Sequence, residues 1–315
     1  MFNKHLKLNI FAQCKEYEIP LKQCPQFLFF IMGTFIAISS VVFYLIGQHY
    51  ITDPRIVALT VLAIAGIFSI IAFIVTNSFQ NLAEANRIKT EFVNIVSHQL
   101  RAPLTNLRWA TQFLLSNDLE NASTEERNSY FDIIKENGNR MENLIDDLLT
   151  ITRLRNGKMD THKIKFSLED LTREVLDDNK RFIEASNLKI NLVVSKDLPR
   201  AFASHSLIKI VVENLVSNAI RYSKSKGQIS IKIGKRGKEI LFEIKDQGIG
   251  IPIKEQQYLF QKFYRARNAL HAEIYGTGLG LFIVRLILKS MNGKVWFSSK
   301  EGKGSTFYFT LPTKE

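Results

Sequence analysis

Phe92-Val-Asn-Ile-Val-Ser-His98-Gln-Leu-Arg-Ala-Pro103-Leu-Thr-Asn-Leu107 is the stretch from which the rest of the chain is read. Phe92, Ile95, Val96, Leu100, Leu104 and Leu107 recur at spacings of three and four, which predicts a helix with one buried face. His98 falls between those positions, so its ring is expected to face solvent. Pro103 has no N–H to give the carbonyl of Gln99, which frees that acceptor inside the helix. A histidine so placed suits a nucleophile, a proton carrier or a metal ligand. On this stretch alone, an ordinary surface histidine is the better account.

The 315 residues carry a formal net charge of +12 and are 46% hydrophobic, enough for two or three domains. The excess of Lys and Arg calls for an anionic partner: a phosphorylated ligand, an acidic protein or an anionic lipid surface. Nucleic acid is not expected, because the basic residues are scattered rather than gathered with aromatics on one element. Cys14 and Cys24 are the only cysteines. They read as free thiols in a reducing compartment, not as a metal site.

Towards the N-terminus, residues 27–47 and 56–76 contain no charge. Each run is long enough to cross a hydrocarbon core of roughly 30 Å as a helix. Both are apolar all round, unlike a soluble hairpin with a polar stripe. The first is too long and too far from the start for a secretory signal. Residues 48–55 between them are too few to fold into a sensing module. Lysines before the first run and Arg87 and Lys89 after the second place both ends on the cytoplasmic side. The expectation is a multi-pass protein of the cell inner or plasma membrane, with residues 1–26 and everything after the second span cytoplasmic. Gly33 and Ala37 form a small-xxx-small pair, more simply read as lipid-facing.

From residue 77 a polar run without Gly or Pro leads into the His98 helix, which is expected to end near Asn117 and Asp118. Ser123-Thr-Glu-Glu126 is a capping-box signature for a second helix. Ile134, Met141, Ile145, Leu148 and Leu149, joined by Leu144 and Ile151, give that helix an apolar seam, and Gly157 ends it. Two helices with such stripes, over residues 77–157, predict an all-α four-helix bundle made from two chains. Residues 158–315 change character. Strands are expected at 189–195, 228–233, 239–245, 294–299 and 305–311, and helices at 206–222 and 278–291. That is an α+β sandwich with helices on one face of a mixed sheet.

Three motifs in this region carry chemistry. Asn214 and Asn218 lie four apart on one helix face, where neutral amide oxygens suit Mg²⁺; Arg221 can hold a phosphate and Tyr222 can lie against a base. Asp246-Gln-Gly248-Ile-Gly250 follows a strand, where a carboxylate can accept from an adenine amino group and glycines admit the ring. Gly276-Thr277-Gly278-Leu279-Gly280 opens a helix and offers N–H groups to phosphates. No strand precedes it, which excludes a dinucleotide-binding βαβ unit. Taken singly, each has a bland alternative: a solvated face, a plain glycine turn, a loop.

In order and spacing together, these motifs resemble the sensor histidine kinases of bacterial two-component systems. Ser97-His98-Gln99-Leu-Arg-Ala102-Pro-Leu resembles the phosphoacceptor box, the stretch from Asn214 the N box, and Leu259-Phe-Gln-Lys-Phe-Tyr-Arg265 the F box. The two glycine stretches resemble the two glycine boxes. The resemblance covers roughly residues 82–315 and leaves out the apolar hairpin. It implies a Bergerat (GHKL-type) ATP-binding domain, His98 as the phosphorylated residue, ATP and Mg²⁺ as cofactors, Asn214 and Asn218 on the Mg²⁺ side, and Arg265 at the γ-phosphate. It also implies a homodimer and a separate response regulator receiver domain as partner. The rival readings are a weakly active or non-catalytic ATP-binding scaffold that docks a regulator, and another ATPase of the same nucleotide fold.

Two departures from the family pattern stand out. Gln99 replaces the usual acid after the phosphoacceptor, and a neutral amide accepts the histidine Nδ1–H without charge assistance. This implies a slower kinase, not an inactive one. Ala102 replaces a Thr or Asn that helps position water, which puts phosphatase activity in doubt. With so short a loop between spans, the stimulus acts within the bilayer, through a partner membrane protein or from the cytoplasm. Inserting residues one at a time near Asn86 should therefore make kinase activity oscillate with about the 3.6-residue helical period. Activity indifferent to insertion phase, measured in vesicles, would rule out a rigid rod.

Overall fold

The computed structural model describes residues 25–116, 123–157, 159, 161–224, 226–272 and 276–314; the expectations for Cys14, Cys24 and the end of the His98 helix at 117–118 lie outside these. The chain forms two compact units, Met1–His98 and Gln99–Glu315.

In the first unit, helix α1 (Pro25–Tyr50) is joined by a short turn to helix α2 (Pro54–Leu114). Asp53 accepts from the backbone N–H of Arg55 at 2.9 Å, and Pro54 takes the first helical position, where a missing N–H costs nothing. Both helices are long and apolar enough to cross a membrane. Their large side chains point outward: Phe35 is 66% and Leu62 69% exposed. The hydroxyls of Thr34, Ser40 and Ser69 donate to carbonyls one turn back, which satisfies them within their own helices. A Cβ on Gly47 would lie 2.7 Å from Val57 Cγ1, so the helices touch near their turn, whereas nothing comes within 4 Å of a Cβ on Gly33.

The second unit begins in α2, which runs through Pro103 and stops at Leu114. Helix α3 (Thr124–Arg155) starts with the expected capping box: Ser123 Oγ accepts from Glu126 N, and the Glu126 carboxylate accepts from Ser123 N. The two helices are pinned by Phe113 stacked on Tyr130 and by Asn106 donating to Asn137. The apolar seam of α3 divides. Leu144 and Ile151, seven residues apart, are buried in one core with Phe166, Leu279 and Ile283. Ile145 and Leu149, roughly 130° around the helix from that pair, stay 46% and 45% exposed.

Next come β1 (Ile164–Phe166), α4 (Leu168–Asp178), α5 (Lys180–Ala185), β2 (Lys189–Val194), β3 (Ala201–Ala203), α6 (His205–Tyr222), β4 (Gln228–Arg236) and β5 (Glu239–Lys245). A 3₁₀ turn (Gln256–Tyr258), α7 (Arg267–His271), α8 (Gly280–Ser290), β6 (Lys294–Lys300) and β7 (Gly304–Pro312) complete the unit. Five strands form a mixed sheet in the order β2-β4-β5-β7-β6, in which only β2 and β4 are parallel. Its alternation puts Ile231, Phe242 and Phe309 against Leu215 of α6 and Ile287 of α8, and Phe242 stacks on Phe309 with centroids 4.6 Å apart. The strands differ from the sequence reading only at their ends, and β1, β3, α4, α5, the 3₁₀ turn and α7 are additions to it. Helix α8 begins two residues later than expected because Gly278 is left-handed (φ +72) and cannot be its first turn. Phe242→Ala is expected to destabilise the second unit by roughly 3–5 kcal/mol, read as a lower urea midpoint with unchanged slope.

Candidate nucleotide site

A cleft of about 590 Å³ lies within the second unit, between α6, the loop after β5, the segment around α7, the glycine turn before α8, and α3. It brings together most of the site residues expected from sequence: Asn214, Asn218, Arg221, Tyr222, Asp246, Gly250, Arg265, Gly276, Thr277, Gly278 and Gly280 all line it. Gly248 and Leu279 do not line it, and Leu279 is buried in the core. His98 belongs to the first unit and is exposed on its helix, as expected.

Helix α6 supplies one wall because its apolar residues, Leu207 to Ala219, face the sheet and turn Asn214 and Asn218 the other way. Asn214 Nδ2 donates to the carbonyl of Ile210 at 2.9 Å, which commits its nitrogen and leaves Oδ1 turned towards the glycine turn. A Cβ on Gly280 would lie 2.3 Å from that oxygen, so a larger residue there would push the Asn214 side chain out of this position. Glu213, beside Asn214, also lines the cleft, and burial raises its carboxyl above the ordinary range. Oxygen donors of this kind match a hard divalent ion that completes its shell with phosphate and water.

Asp246 is 4% exposed. Its Oδ1 accepts from Gly248 N at 2.8 Å and from Ser305 N at 3.1 Å, which ties the end of β5 to the start of β7. Burial raises its carboxyl above the usual range, against the pull of those N–H groups. Gly248 is required because a Cβ would meet the carbonyl oxygen of Tyr222 at 2.1 Å. Asn268 Nδ2 donates to Gly250 O, while its Oδ1 is buried without a partner among the described residues, an acceptor left over at the cleft wall. The F-box residue Phe263 is left-handed (φ +60), an unusual state for a bulky side chain, and packs its backbone against Gly278.

Residues 88–157 match the His Kinase A (phospho-acceptor) domain, and residues 203–315 match the histidine kinase-, DNA gyrase B- and HSP90-like ATPase domain. The chain belongs to the sensor histidine kinases. It is 29% identical over 237 residues to the adaptive-response sensory kinase SasA of Crocosphaera subtropica, covering 74% of this chain and 62% of that protein. It is 33% identical over 234 residues to the signal transduction histidine-protein kinase BarA of Escherichia coli, covering 72% and 25%. The chain thus spans less than two thirds of the length of these curated relatives. Among solved structures it shares its fold with histidine kinase AdeS of Acinetobacter baumannii (TM-score 0.56, 22% identity, 69% of this chain and 98% of that one). It shares it also with histidine kinase ThkA in complex with response regulator protein TrrA (TM-score 0.58, 24% identity, 73% and 64%).

The sequence reading missed the contribution of α3. Glu136, Arg140, Asn143 and Asp147 line the cleft from one helix face, and Gln99 of α2 donates from Nε2 to the carbonyl of Thr277 at 3.2 Å. The signal was present as a polar stripe at spacings of four, three and four beside the apolar seam. Phe182, 68% exposed at the cleft, had no sequence signal.

Asp246 offers a pH test. A carboxyl whose folded pKa lies above its unfolded value favours folding fully at low pH, and that advantage is lost as pH rises through the folded value. Asn keeps an oxygen for Gly248 and Ser305 but carries no charge. Asp246→Asn should therefore melt at or above wild type near about pH 7, with the difference shrinking towards about pH 4. Asp246→Ala orphans two buried N–H groups and should cost roughly 1–3 kcal/mol for each. Thermal melts across pH check both, and an Asn variant that melts lower near neutrality contradicts the geometry.

Proposed function

We propose that this chain is a membrane-anchored, homodimeric histidine kinase that binds Mg-ATP in the cleft. It transfers the γ-phosphoryl group to His98, and from there to an aspartate of a separate response regulator. The observation that carries this reading is one cleft holding the Asn214/Asn218 face, the Asp246 carboxylate and the glycine turn of α8, in a chain with a phospho-acceptor domain. On this reading residues 1–26 are a cytoplasmic segment, 27–76 the membrane hairpin, 77–157 the dimerisation and phosphotransfer domain, and 158–315 the catalytic domain.

Each side chain has a role set by its surroundings. Asp246 has Oδ1 committed to backbone, so Oδ2 accepts from the adenine amino group, and Tyr222 lies against the base. The N–H groups at the start of α8 face the phosphates with the positive end of the helix dipole. Arg221 and Arg265 neutralise phosphate oxygens. Asn214 and Asn218 hold Mg²⁺, which supplies charge neutralisation across the phosphates when bound. His98 Nε2 then forms the N–P bond as the bond from γ-phosphorus to the β,γ-bridging oxygen breaks and ADP leaves. Gln99 Oε1 accepts from Nδ1–H and fixes the tautomer. The catalysis is positioning and charge compensation, as phosphoryl transfer requires.

Exposed apolar side chains on the helical hairpin, Trp109 (71%), Ile145 and Leu149, support a two-chain bundle that covers them. The ThkA–TrrA complex, a structure with this fold, supports a response regulator as partner. The two apolar helices and the flanking Lys and Arg support a multi-pass anchor with both ends cytoplasmic.

Incubation of the full chain in lipid nanodiscs with γ-labelled ATP should give an acid-labile, base-stable label. His98→Gln should abolish the label and leave ATP affinity unchanged, because His98 is outside the cleft. Label surviving in that variant would remove the assignment, and loss of nucleotide binding in a folded variant would count against separate functions. A scaffold that docks a regulator without catalysis would bind ATP and never become labelled.

A further inference from the structure

Two side chains from the helical hairpin converge on Thr277, at the centre of the glycine turn. Thr277 Oγ1 donates to Asp147 Oδ2 at 2.7 Å, and the same oxygen accepts from Leu279 N at 3.2 Å. Gln99 Nε2 donates to the Thr277 carbonyl. The turn is thus held by α2 through its backbone and by α3 through its hydroxyl. Asp147 is half-buried in the cleft wall, and the charge of Arg221 acts on it from across the cleft.

A carboxylate bonded to the hydroxyl of a glycine turn at a helix start, within the field of an arginine, has the chemistry of a phosphate oxygen. We propose that Asp147 is an internal phosphate surrogate, an autoinhibitory contact that holds the glycine turn to the helical hairpin until the phosphates of a nucleotide displace it. This rests on the nucleotide reading given above. The carboxylate and a triphosphate are like charges that cannot share Thr277 and Arg221 at close range, so binding one expels the other. Gln99 adds the second point of the latch. An acid at position 99 has no N–H to give the Thr277 carbonyl, so the neutral amide at this position suits the held state. Burial raises the Asp147 carboxyl above its ordinary range, with Thr277 and Arg221 opposing, as expected of an anion kept from water.

The test is nucleotide affinity of the full chain in nanodiscs, titrated calorimetrically with a non-hydrolysable ATP analogue and Mg²⁺. Asp147→Ala should bind about tenfold more tightly than wild type, the size expected for removing a charge-assisted hydrogen bond that competes with the ligand. Asp147→Asn, which keeps an acceptor but no charge, should fall between them. Asp146→Ala removes the same charge from an exposed neighbour and should leave affinity unchanged. Amide exchange at residues 276–280 of the nucleotide-free protein should be faster in Asp147→Ala than in wild type. Equal affinity and equal exchange in wild type and Asp147→Ala would overturn the latch and leave the nucleotide reading standing. Weaker binding by Asp147→Ala would overturn it too, by making Asp147 a ligand of the bound complex. No binding by either protein would sink the nucleotide reading, and the latch with it.

Discussion

The buried Asp246 carboxylate is the constraint on which the cleft depends. By accepting from Gly248 and Ser305 it joins the loop after β5 to the first residues of β7, two segments distant in sequence. That junction is crowded. Cβ atoms on Gly248, Gly250 and Gly304 would each strike backbone oxygen within 2.2 Å. The glycines are needed for close approach of chain to chain before any ligand arrives. The cleft is therefore shaped by the protein's own backbone contacts, and a ligand meets a preformed wall.

The helical hairpin serves two surfaces at once. One line of α3 side chains, Leu144 and Ile151, completes the core under α8, and a polar line beside it reaches the cleft. A third line, Ile145 and Leu149, is left uncovered within the chain. A helix turning 100° per residue can present three such lines without a break. Movement of α3 about its axis would alter all three together, which couples packing to the cleft by geometry.

Much of this was legible in the sequence because it follows from short-range rules. The five sheet strands show two-residue alternation, α6 and α8 show apolar residues at helical spacing, and Ser123 with Glu126 marks the start of α3. The cleft residues were legible for another reason: asparagine, aspartate and glycine in that order resemble a known site. What could not be read is tertiary. Strands β1 and β3 have three residues each, too few for alternation to register. Helix α4 did carry a signal that went unread, with Ser167 as cap, Glu169 and Asp170 in its first turn and Leu168, Leu171 and Val175 buried. The seam of α3 looked uniform because apolar spacing says that a face is buried, not against which partner.

The position of β7 in the sheet bears on how the protein is made. It lies between β5 and β6, although it follows both in sequence. Until the ribosome has released residue 312, β5 and β6 have no common neighbour and Phe242 lacks the ring of Phe309. Asp246 likewise waits for Ser305. The sheet and the cleft wall thus close in one late event, well after the two apolar helices have emerged. Until then, the half-built sheet exposes the edge of β5, the kind of unpaired strand that can pair with another chain.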